Sequence, residues 1–229
     1  MADNIHDTNT TGLTRRSFLV GSVGASVLMA FGFVGLRGVG QAISAPETLA
    51  TKNFAPTVWF EINEQGKVLI NIAKAEMGQH VGTALARVIT EELGASWDDV
   101  SIKHVDADPK WGFMITGGSW SVFKSFTSLS QAGAAGRIAL IEAGAQLLGK
   151  SSKECDVMDS KVICGEESIT FAEIIQKAKL DRSFSDEELS ALPLKPAKQR
   201  RFVGKSSQAI DIPAKTNGTA RFGIDVDIP

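Results

Sequence analysis

The sequence predicts an α+β (mixed α/β) fold, because segments with strand periodicity are interleaved with segments of helical periodicity. Residues 58–63 and 68–73 are strand-like and are joined by residues 64–67, which is typical of a β-hairpin. Apolar residues recur at helical spacing in residues 81–93 and again in residues 129–148. A chain of 229 residues is long enough for one sizeable core or two small domains.

Residues 1–45 are predicted to be a targeting segment. Arg15 and Arg16 precede a glycine-diluted apolar run over residues 18–36, the arrangement of a twin-arginine export signal. A membrane anchor or a buried helix is the alternative, because the run is close to the ~20 residues that span a bilayer. Cleavage is expected around residues 42–45. Twin-arginine export carries folded proteins, so the predicted location is the periplasm or the outer face of the cytoplasmic membrane.

After this leader, residues 46–57 are interpreted as a linker that enters the fold. The helix over residues 81–93 is expected to end at Gly94, since glycine is favoured in left-handed helix caps. Residues 98–106 alternate as a strand, with His104 on its apolar face.

The second half begins with a loop that lacks a clear period. Its predicted elements, in chain order, are a loop at 107–128, a helix at 129–148, a hairpin at 154–164, a strand or helix cap at 168–170 and a helix at 171–178. The long loop is too apolar for a solvated linker, and loops of this length in compact domains are usually functional.

The predicted domain boundaries follow changes in composition. Residues 46–180 form the main unit, and a charged, proline-containing stretch begins at residue 181. Residues 181–217 are therefore interpreted as a linker. Residues 218–229 read as the opening strand of a further domain.

Cys155 and Cys164 lie in the predicted hairpin over residues 154–164. A two-residue turn at 159–160 places them opposite each other, where a disulfide forms in an oxidising compartment. The alternative is that both side chains simply belong to the apolar face of the hairpin. Their spacing fits neither an iron–sulfur cluster nor a structural zinc site.

Composition and motifs argue against several functional classes. The net charge is −2, without the basic excess typical of nucleic-acid binding. The G-x-S-x-G, P-loop and dinucleotide fingerprints are absent from the sequence, which argues against a hydrolase, an NTPase or a nicotinamide enzyme. The histidines His6, His80 and His104 do not have the spacing of a metal site.

Two loops that precede helices are the candidate binding elements. The first, the glutamine loop, comprises residues 74–80 and contains Gln79, whose amide both donates and accepts hydrogen bonds. The second, the glycine loop, comprises residues 116–121 and contains a glycine pair. Such loops present backbone N–H groups to an anionic or polar ligand. Glu76 is either a general base or, as we expect, an acceptor for backbone N–H groups of its own loop.

The run Glu76-Met77-Gly78-Gln79 resembles the xanthine dehydrogenase/aldehyde oxidase family of molybdenum hydroxylases. The chain resembles the N-terminal part of the large (beta) subunit of isoquinoline 1-oxidoreductase and related periplasmic aldehyde dehydrogenases. The similarity includes the leader, both loops, residues 106–111 and residues 131–137. It implies an incomplete molybdopterin-binding domain, followed at residues 218–229 by the first strand of a hammerhead domain.

The resemblance also assigns roles within the two loops. The cofactor-binding residues that it implies are Met77, Gly78, Gln79, His80, Gly117, Gly118 and Ser119. Gln79 would hydrogen-bond the oxo ligand of molybdenum without ligating the metal. The glycine loop would approach the pterin and its phosphates through backbone amides. His80 departs from the family pattern, since many relatives have glycine there, and its ligand contact is expected to differ.

The family reaction is hydroxylation of an aldehyde or an N-heterocycle, with oxygen from water and electrons leaving through iron–sulfur centres. The resemblance implies the cytosine dinucleotide form of molybdopterin, a small [2Fe–2S] partner subunit and a cytochrome c as a candidate electron acceptor. The family's catalytic glutamate lies in a C-terminal half that this sequence lacks. We therefore assign no catalytic residue and expect the chain to be inactive without that remainder of the large subunit.

Two functional hypotheses follow. In the first, the chain is one part of a molybdenum hydroxylase large subunit and is completed by the C-terminal remainder. In the second, it is a non-catalytic exported binding or interaction module that keeps the fold. Native co-purification with molybdopterin and [2Fe–2S] centres distinguishes the first hypothesis from the second.

Overall fold

The computed structural model describes residues 53–227, so the predicted targeting segment and its cleavage site lie outside the described residues. Over this range the chain forms two β-sheets and five α-helices, which confirms the mixed α/β class. Within the same range, no helix combines the length and the hydrophobicity that a bilayer span requires.

The first sheet contains four strands in the order β1-β2-β3-β4. The strands are β1 (Phe54–Thr57), β2 (Phe60–Ile62), β3 (Val68–Ile72) and β4 (Val100–His104). The first three pair antiparallel, and β4 pairs parallel to β3. Buried and partly exposed residues alternate along β2 and β3, as expected for strands with one buried face. The predicted hairpin is confirmed.

Two boundaries near this sheet differ from the sequence prediction. Residues 54–57, interpreted as part of a linker, form β1 because pairing with β2 satisfies their backbone groups. The strand expected over residues 98–106 is shorter than predicted, since Trp97–Asp99 form a 3₁₀ turn directly before β4.

Helix α1 (Val81–Leu93) connects β3 to β4 and packs against α2 (Trp120–Leu148). The bounds of α1 are those predicted, and Gly94 caps it at a φ of 77°. The helices approach closely at Gly133, where an added Cβ atom would lie 2.6 Å from the carbonyl oxygen of Ile89. The small residues of α2 therefore serve helix packing.

The start of α2 lies well before its predicted start at Leu129, and the predicted loop over residues 107–128 is correspondingly shorter. The first turns of α2 expose Trp120, Val122 and Phe123, whereas burial begins at Leu129. A helical apolar pattern arises where one face is buried against the core. Before Leu129 only Phe126 packs against the core while Trp120, Val122 and Phe123 are exposed, so the helical apolar pattern is weak there.

The second sheet is an antiparallel meander in the order β5-β6-β7. Its strands are β5 (Cys155–Met158), β6 (Lys161–Cys164) and β7 (Glu167–Thr170). Asp159 and Ser160 both have positive φ, as a two-residue type I′ turn requires. Cys155 lies opposite Cys164, and the two form a disulfide. Thr170 ends β7 and caps α3 (Phe171–Lys177), so this segment is both strand and helix cap.

After α3 the chain lies along α1 and α2 and forms the short helices α4 (Asp186–Ala191) and α5 (Ile212–Thr216). The buried carboxylate of Glu91 accepts hydrogen bonds from three successive backbone N–H groups. The donors are Arg201, Phe202 and Val203, at 2.9, 2.6 and 3.0 Å. The segment interpreted as a linker, residues 181–217, is thus fixed to α1 by buried hydrogen bonds.

The strand predicted at residues 218–229 is not formed in the described part of that segment. Residues 218–227 contain a 3₁₀ turn at Gly223–Asp225, and Phe222 and Ile224 are exposed. A strand needs a neighbour to pair with its backbone groups, and no strand of residues 53–217 pairs with this segment.

Candidate functional site

The glutamine loop leaves β3 and enters α1 through His80, whose φ is 59°. The Glu76 carboxylate accepts hydrogen bonds from the backbone N–H groups of Gly78 (2.8 Å), His80 (2.9 Å) and Gly82 (3.4 Å). Burial acts to raise the pKa of the Glu76 carboxyl, but these hydrogen bonds outweigh it and hold the pKa below its ordinary value. Glu76 is therefore an ionised anchor of its own loop, as expected, and is poorly suited to act as a general base.

The amide of Gln79 is also used within this loop. Its Oε1 accepts a hydrogen bond from the Met77 backbone N–H at 2.6 Å, and its Nε2 donates to the Ala75 carbonyl oxygen at 2.8 Å. A primary amide carries two N–H donors, so one remains for a ligand. Met77, Gly78 and Gln79 are all exposed.

His80 contacts the C-terminal part of the chain. Its Nδ1 lies 3.4 Å from Oδ1 of Asp211, and Oδ2 of Asp211 lies 2.5 Å from Nζ of Lys215. Ligand atoms of Glu76, His80 and Asp211 lie within 4.8 Å of one another. The hydrogen bond from the Lys215 ammonium lowers the pKa of Asp211. Because Lys215 already supplies the positive charge, we assign no metal to this cluster.

The glycine loop turns the chain into α2 with two successive left-handed residues, Gly118 at a φ of 57° and Ser119 at 59°. No side chain caps the N-terminus of α2, and its first turn contains no acidic residue. At Gly117, no heavy atom lies within 4 Å of the position of an added Cβ atom. The positive end of the helix dipole is therefore next to an open stretch of bare backbone, which suits an anionic group.

Lys74 joins the glutamine loop to the segment that leads into the glycine loop. Its residue is only 4% exposed, and its Nζ donates to the carbonyl oxygens of Phe113 at 2.5 Å and Ile115 at 3.3 Å. The ammonium lies 4.7 Å from the centre of the Phe113 ring, and burial lowers the pKa of Lys74. Beside it, the Ala75 backbone N–H donates to Oγ1 of Thr116 at 2.8 Å. The two predicted loops are thus held side by side.

A cleft of about 900 Å³ adjoins the glutamine loop, between β4 and α5. Its lining includes Glu76, Met77 and Gly78 together with Asp211 and Lys215, but none of Gly117, Gly118 and Ser119. Sequence reasoning missed this cleft, because its two sides are far apart along the chain. It included Lys74 in the glutamine loop but assigned it no role, although a charge directly after the buried run of β3 is an available signal.

Both loops fit the polar, phosphate-bearing cofactor that the resemblance implies. Gly78 and Gly117 have open space where a side chain would lie, so a ligand can approach the backbone. The first turn of α2 contains no acidic residue that would repel phosphate, whereas the Glu76 carboxylate already occupies the N-terminus of α1. Gln79 adds a free N–H donor. The residues that would hold the group are therefore Met77, Gly78 and Gln79 on one loop and Gly117, Gly118 and Ser119 on the other.

The comparisons of this chain with known proteins agree on one family. A family model described as a molybdopterin cofactor-binding domain matches residues 30–211. The chain is 48% identical over 218 residues to the membrane-bound aldehyde dehydrogenase (pyrroloquinoline-quinone) of Gluconacetobacter polyoxogenes, covering 94% of this chain and 28% of that protein. It is 29% identical to the beta subunit of isoquinoline 1-oxidoreductase from Brevundimonas diminuta, covering 96% of this chain and 32% of the relative.

Similarity to a third protein and to solved structures is lower. A nicotinate dehydrogenase subunit of Pseudomonas putida is 27% identical, over 82% of this chain and 16% of the relative. The crystal structure of quinoline 2-oxidoreductase from Pseudomonas putida 86 is 21% identical, with a TM-score of 0.39 over 51% of this chain and 15% of that chain. The chain thus spans a third or less of the length of the curated relatives that it matches.

Proposed function

The chain belongs to the family of molybdopterin cofactor-binding domains, and from this premise we propose that it supplies one side of the cofactor site in the large subunit of a molybdenum hydroxylase. The observation that carries the proposal is the pairing of the two loops. Ala75 bonds Thr116 and Lys74 bonds the carbonyl groups of Phe113 and Ile115, so the glutamine loop and the glycine loop form one surface.

Each loop has a distinct task in this proposal. The glycine loop receives the phosphates of the cofactor at the uncapped N-terminus of α2. Gln79 offers its remaining amide N–H to the ligand. Hydrogen bonds to the backbone of Met77 and Ala75 already fix the orientation of this amide. When bound, the molybdenum–pterin group supplies the two-electron oxidation chemistry, which the protein orients and tunes. The cytosine dinucleotide form is the one that the family resemblance favours.

We further propose that the complete enzyme hydroxylates an aldehyde or an N-heterocycle with oxygen from water. The resemblance places the catalytic glutamate in the remainder of the large subunit and the [2Fe–2S] centres in a small partner subunit. The chain is expected to bind cofactor stably only together with that remainder, because its two loops cover one side of the ligand.

Export by the twin-arginine route is a separate part of the proposal. It is supported by Arg15 and Arg16 ahead of the apolar run. It is also supported by the Cys155–Cys164 disulfide, since disulfides persist in oxidising compartments such as the periplasm. Replacing both arginines by lysine should retain the chain inside the cytoplasm, as measured by cell fractionation. Unchanged export of that variant would contradict this route.

The cofactor proposal is tested on the tagged chain purified from its native host. The complex should contain molybdenum, pterin and a cytosine nucleotide in equal amounts. Molybdenum is measured by mass spectrometry, and the pterin is measured by its fluorescence after oxidation. The chain separated from its partners should contain neither metal nor pterin and should not oxidise aldehydes. Pyrroloquinoline quinone without molybdenum, or a cofactor-free monomer, would overturn the proposal. The second of these results would favour the non-catalytic module.

A further inference from the structure

His80 occupies a backbone position that favours glycine. Its φ is 59°, in the left-handed region that a residue with a Cβ atom rarely adopts. The side chain makes no capping hydrogen bond to α1, and 44% of it is exposed to solvent. Turning the chain, capping the helix and filling the core therefore do not require a histidine here. Its imidazole instead contacts Asp211, whose Oδ1 lies 3.4 Å from Nδ1.

Asp211 lies at the end of a segment that we call the strap, residues 195–211. Side chains spaced four residues apart on one face of α1 hydrogen-bond the backbone of the strap, and they are Glu91, Arg87 and Thr83. Their partners in the strap, in the same order, are Val203 at 3.0 Å, Lys205 at 2.9 Å and Ile210 at 2.9 Å. The strap therefore runs along α1 towards its N-terminus, where it brings Asp211 to the glutamine loop.

The two oxygens of the Asp211 carboxylate differ in their contacts. Oδ2 receives the Lys215 ammonium at 2.5 Å, whereas Oδ1 is buried and has no hydrogen-bond partner within residues 53–227. A buried acceptor without a donor destabilises a fold. The imidazole of His80 is the neighbouring donor, at a distance slightly longer than an ordinary hydrogen bond. Asp211 therefore offers a free acceptor that suits the imidazole N–H.

His80 is also bonded into the glutamine loop itself. Its backbone N–H donates to Oε1 of Glu76 at 2.9 Å, and the same oxygen accepts the Gly78 N–H. The bonds of Glu76 and Gln79 fix the shape of this loop, but they do not join it to a segment that is remote along the chain. The contact of His80 with Asp211 makes such a connection, because it joins the end of the loop to the strap.

We propose that His80 is a positioning residue: through Asp211 it fixes the end of the glutamine loop against the strap, and so sets where Gln79 offers its free amide N–H. This inference rests on the proposed function, in which Gln79 faces the cofactor. Fixing a loop before its ligand binds reduces the conformational entropy that binding costs. A glycine at residue 80 would suit the backbone better, but it would release the loop from the strap.

The test compares variants of the tagged chain, purified with its partners from the native host. In His80→Gly, the backbone amides of residues 77–80 should exchange hydrogen at least ~5-fold faster by mass spectrometry. Asparagine tolerates left-handed backbone and places an amide nitrogen near the position of Nδ1, so His80→Asn should restore slow exchange. Asp211→Ala removes the contact without changing the backbone of residue 80, so it should exchange as fast as His80→Gly. The molybdenum content should fall several-fold in the two fast-exchanging variants and stay near the wild-type value in His80→Asn.

Asp159→Gly is the matched control. Asp159 is also left-handed, with a φ of 49°, and its side chain also contacts the strap, since its Oδ1 lies 2.7 Å from Arg201. It lies in the turn between β5 and β6, outside the glutamine loop. This variant should keep both the exchange of residues 77–80 and the molybdenum content of the wild type. Exchange in the buried part of α2 should be unchanged in every variant, which separates a local effect from a general loss of stability.

Other results overturn the inference. Wild-type exchange in both His80→Gly and Asp211→Ala, in a complex that contains molybdenum, rejects the positioning role and leaves the proposed function intact. Faster exchange in His80→Gly but not in Asp211→Ala also rejects it, because the flexibility of glycine would then be the cause. Faster exchange in both variants, in a complex without molybdenum or pterin, keeps the connection between loop and strap but rejects the proposed function.

Discussion

The glutamine loop and the glycine loop both precede a helix, but they differ in where their backbone groups find hydrogen-bond partners. In the glutamine loop, Glu76 and Gln79 hydrogen-bond the loop's own backbone. In the glycine loop, Ser119 makes no capping bond and Gly117 stands beside open space. The first loop is held in shape from within. The second is held by its neighbour through Lys74 and Thr116.

This difference indicates how a binding surface can be pre-organised before its ligand arrives. A loop that must aim one side chain benefits from internal bonds, because they remove the alternative rotamers of Gln79. A loop that must receive phosphate keeps its N–H groups available, and therefore needs its support from elsewhere. Lys74 supplies that support from a buried position.

The largest effect is expected from Lys74→Met, which removes the support of the glycine loop and leaves the hydrogen bonds of Glu76 and Gln79 within the glutamine loop intact. Hydrogen bonds from a charged donor contribute about 1.5–3 kcal/mol each, and about 1.4 kcal/mol corresponds to a tenfold change. We expect tryptic cleavage after Lys110 to become at least ~10-fold faster. Gel or mass-spectrometric time courses measure this rate.

Lys67→Met is the matched control for that experiment. Lys67 pairs with Asp99 at 2.6 Å on the surface, where ion pairs contribute little. Cleavage after Lys110 should be unchanged in this variant. Equal cleavage rates in Lys74→Met and the wild type would show that the two loops do not depend on each other.

A smaller effect is expected from Glu76→Gln, which breaks the internal support of the glutamine loop. The variant should lose about 1 kcal/mol of unfolding free energy at pH 7, because backbone N–H groups lose a charged acceptor. Glu166→Gln, in the exposed turn after β6, should have no effect. Chemical denaturation of the three proteins measures the difference.

The effect of Glu76→Gln should also depend on pH in a defined direction. Hydrogen bonds to the charged form hold the pKa of Glu76 below its unfolded value. Its stabilising contribution is therefore fully present above that unfolded value, about pH 4.3, and is lost as the pH falls through the folded pKa. The gap between wild type and variant should close in acid. A gap that persists at pH 2 would contradict the role of the Glu76 charge.

The same contrast explains what the sequence could predict. The glutamine loop, α1 with its Gly94 cap and the hairpin at Cys155 and Cys164 follow local rules of spacing and turn chemistry, and sequence reasoning locates them correctly. The glycine loop is shorter than predicted, because α2 begins at Trp120. The support from Lys74 and the contact of Glu91 with residues 201–203 join segments that are remote along the chain. Periodicity contains no information about such pairings. The start of α2 is missed for a related reason, since its exposed turns do not face the core.

The smallest effect on stability, and the sharpest test of the open loop, is expected from Gly117→Val. No atom lies near the added side chain, so the unfolding free energy should change by no more than about 0.5 kcal/mol. The side chain would nevertheless occupy the space that the cofactor phosphates need, so the molybdenum content of the native complex should fall several-fold. Gly223→Val is the control, because its added side chain also meets no atom within 4 Å. That variant should keep its molybdenum. Full molybdenum content in Gly117→Val would place the cofactor elsewhere, whereas a large loss of stability would show that the glycine loop is not open.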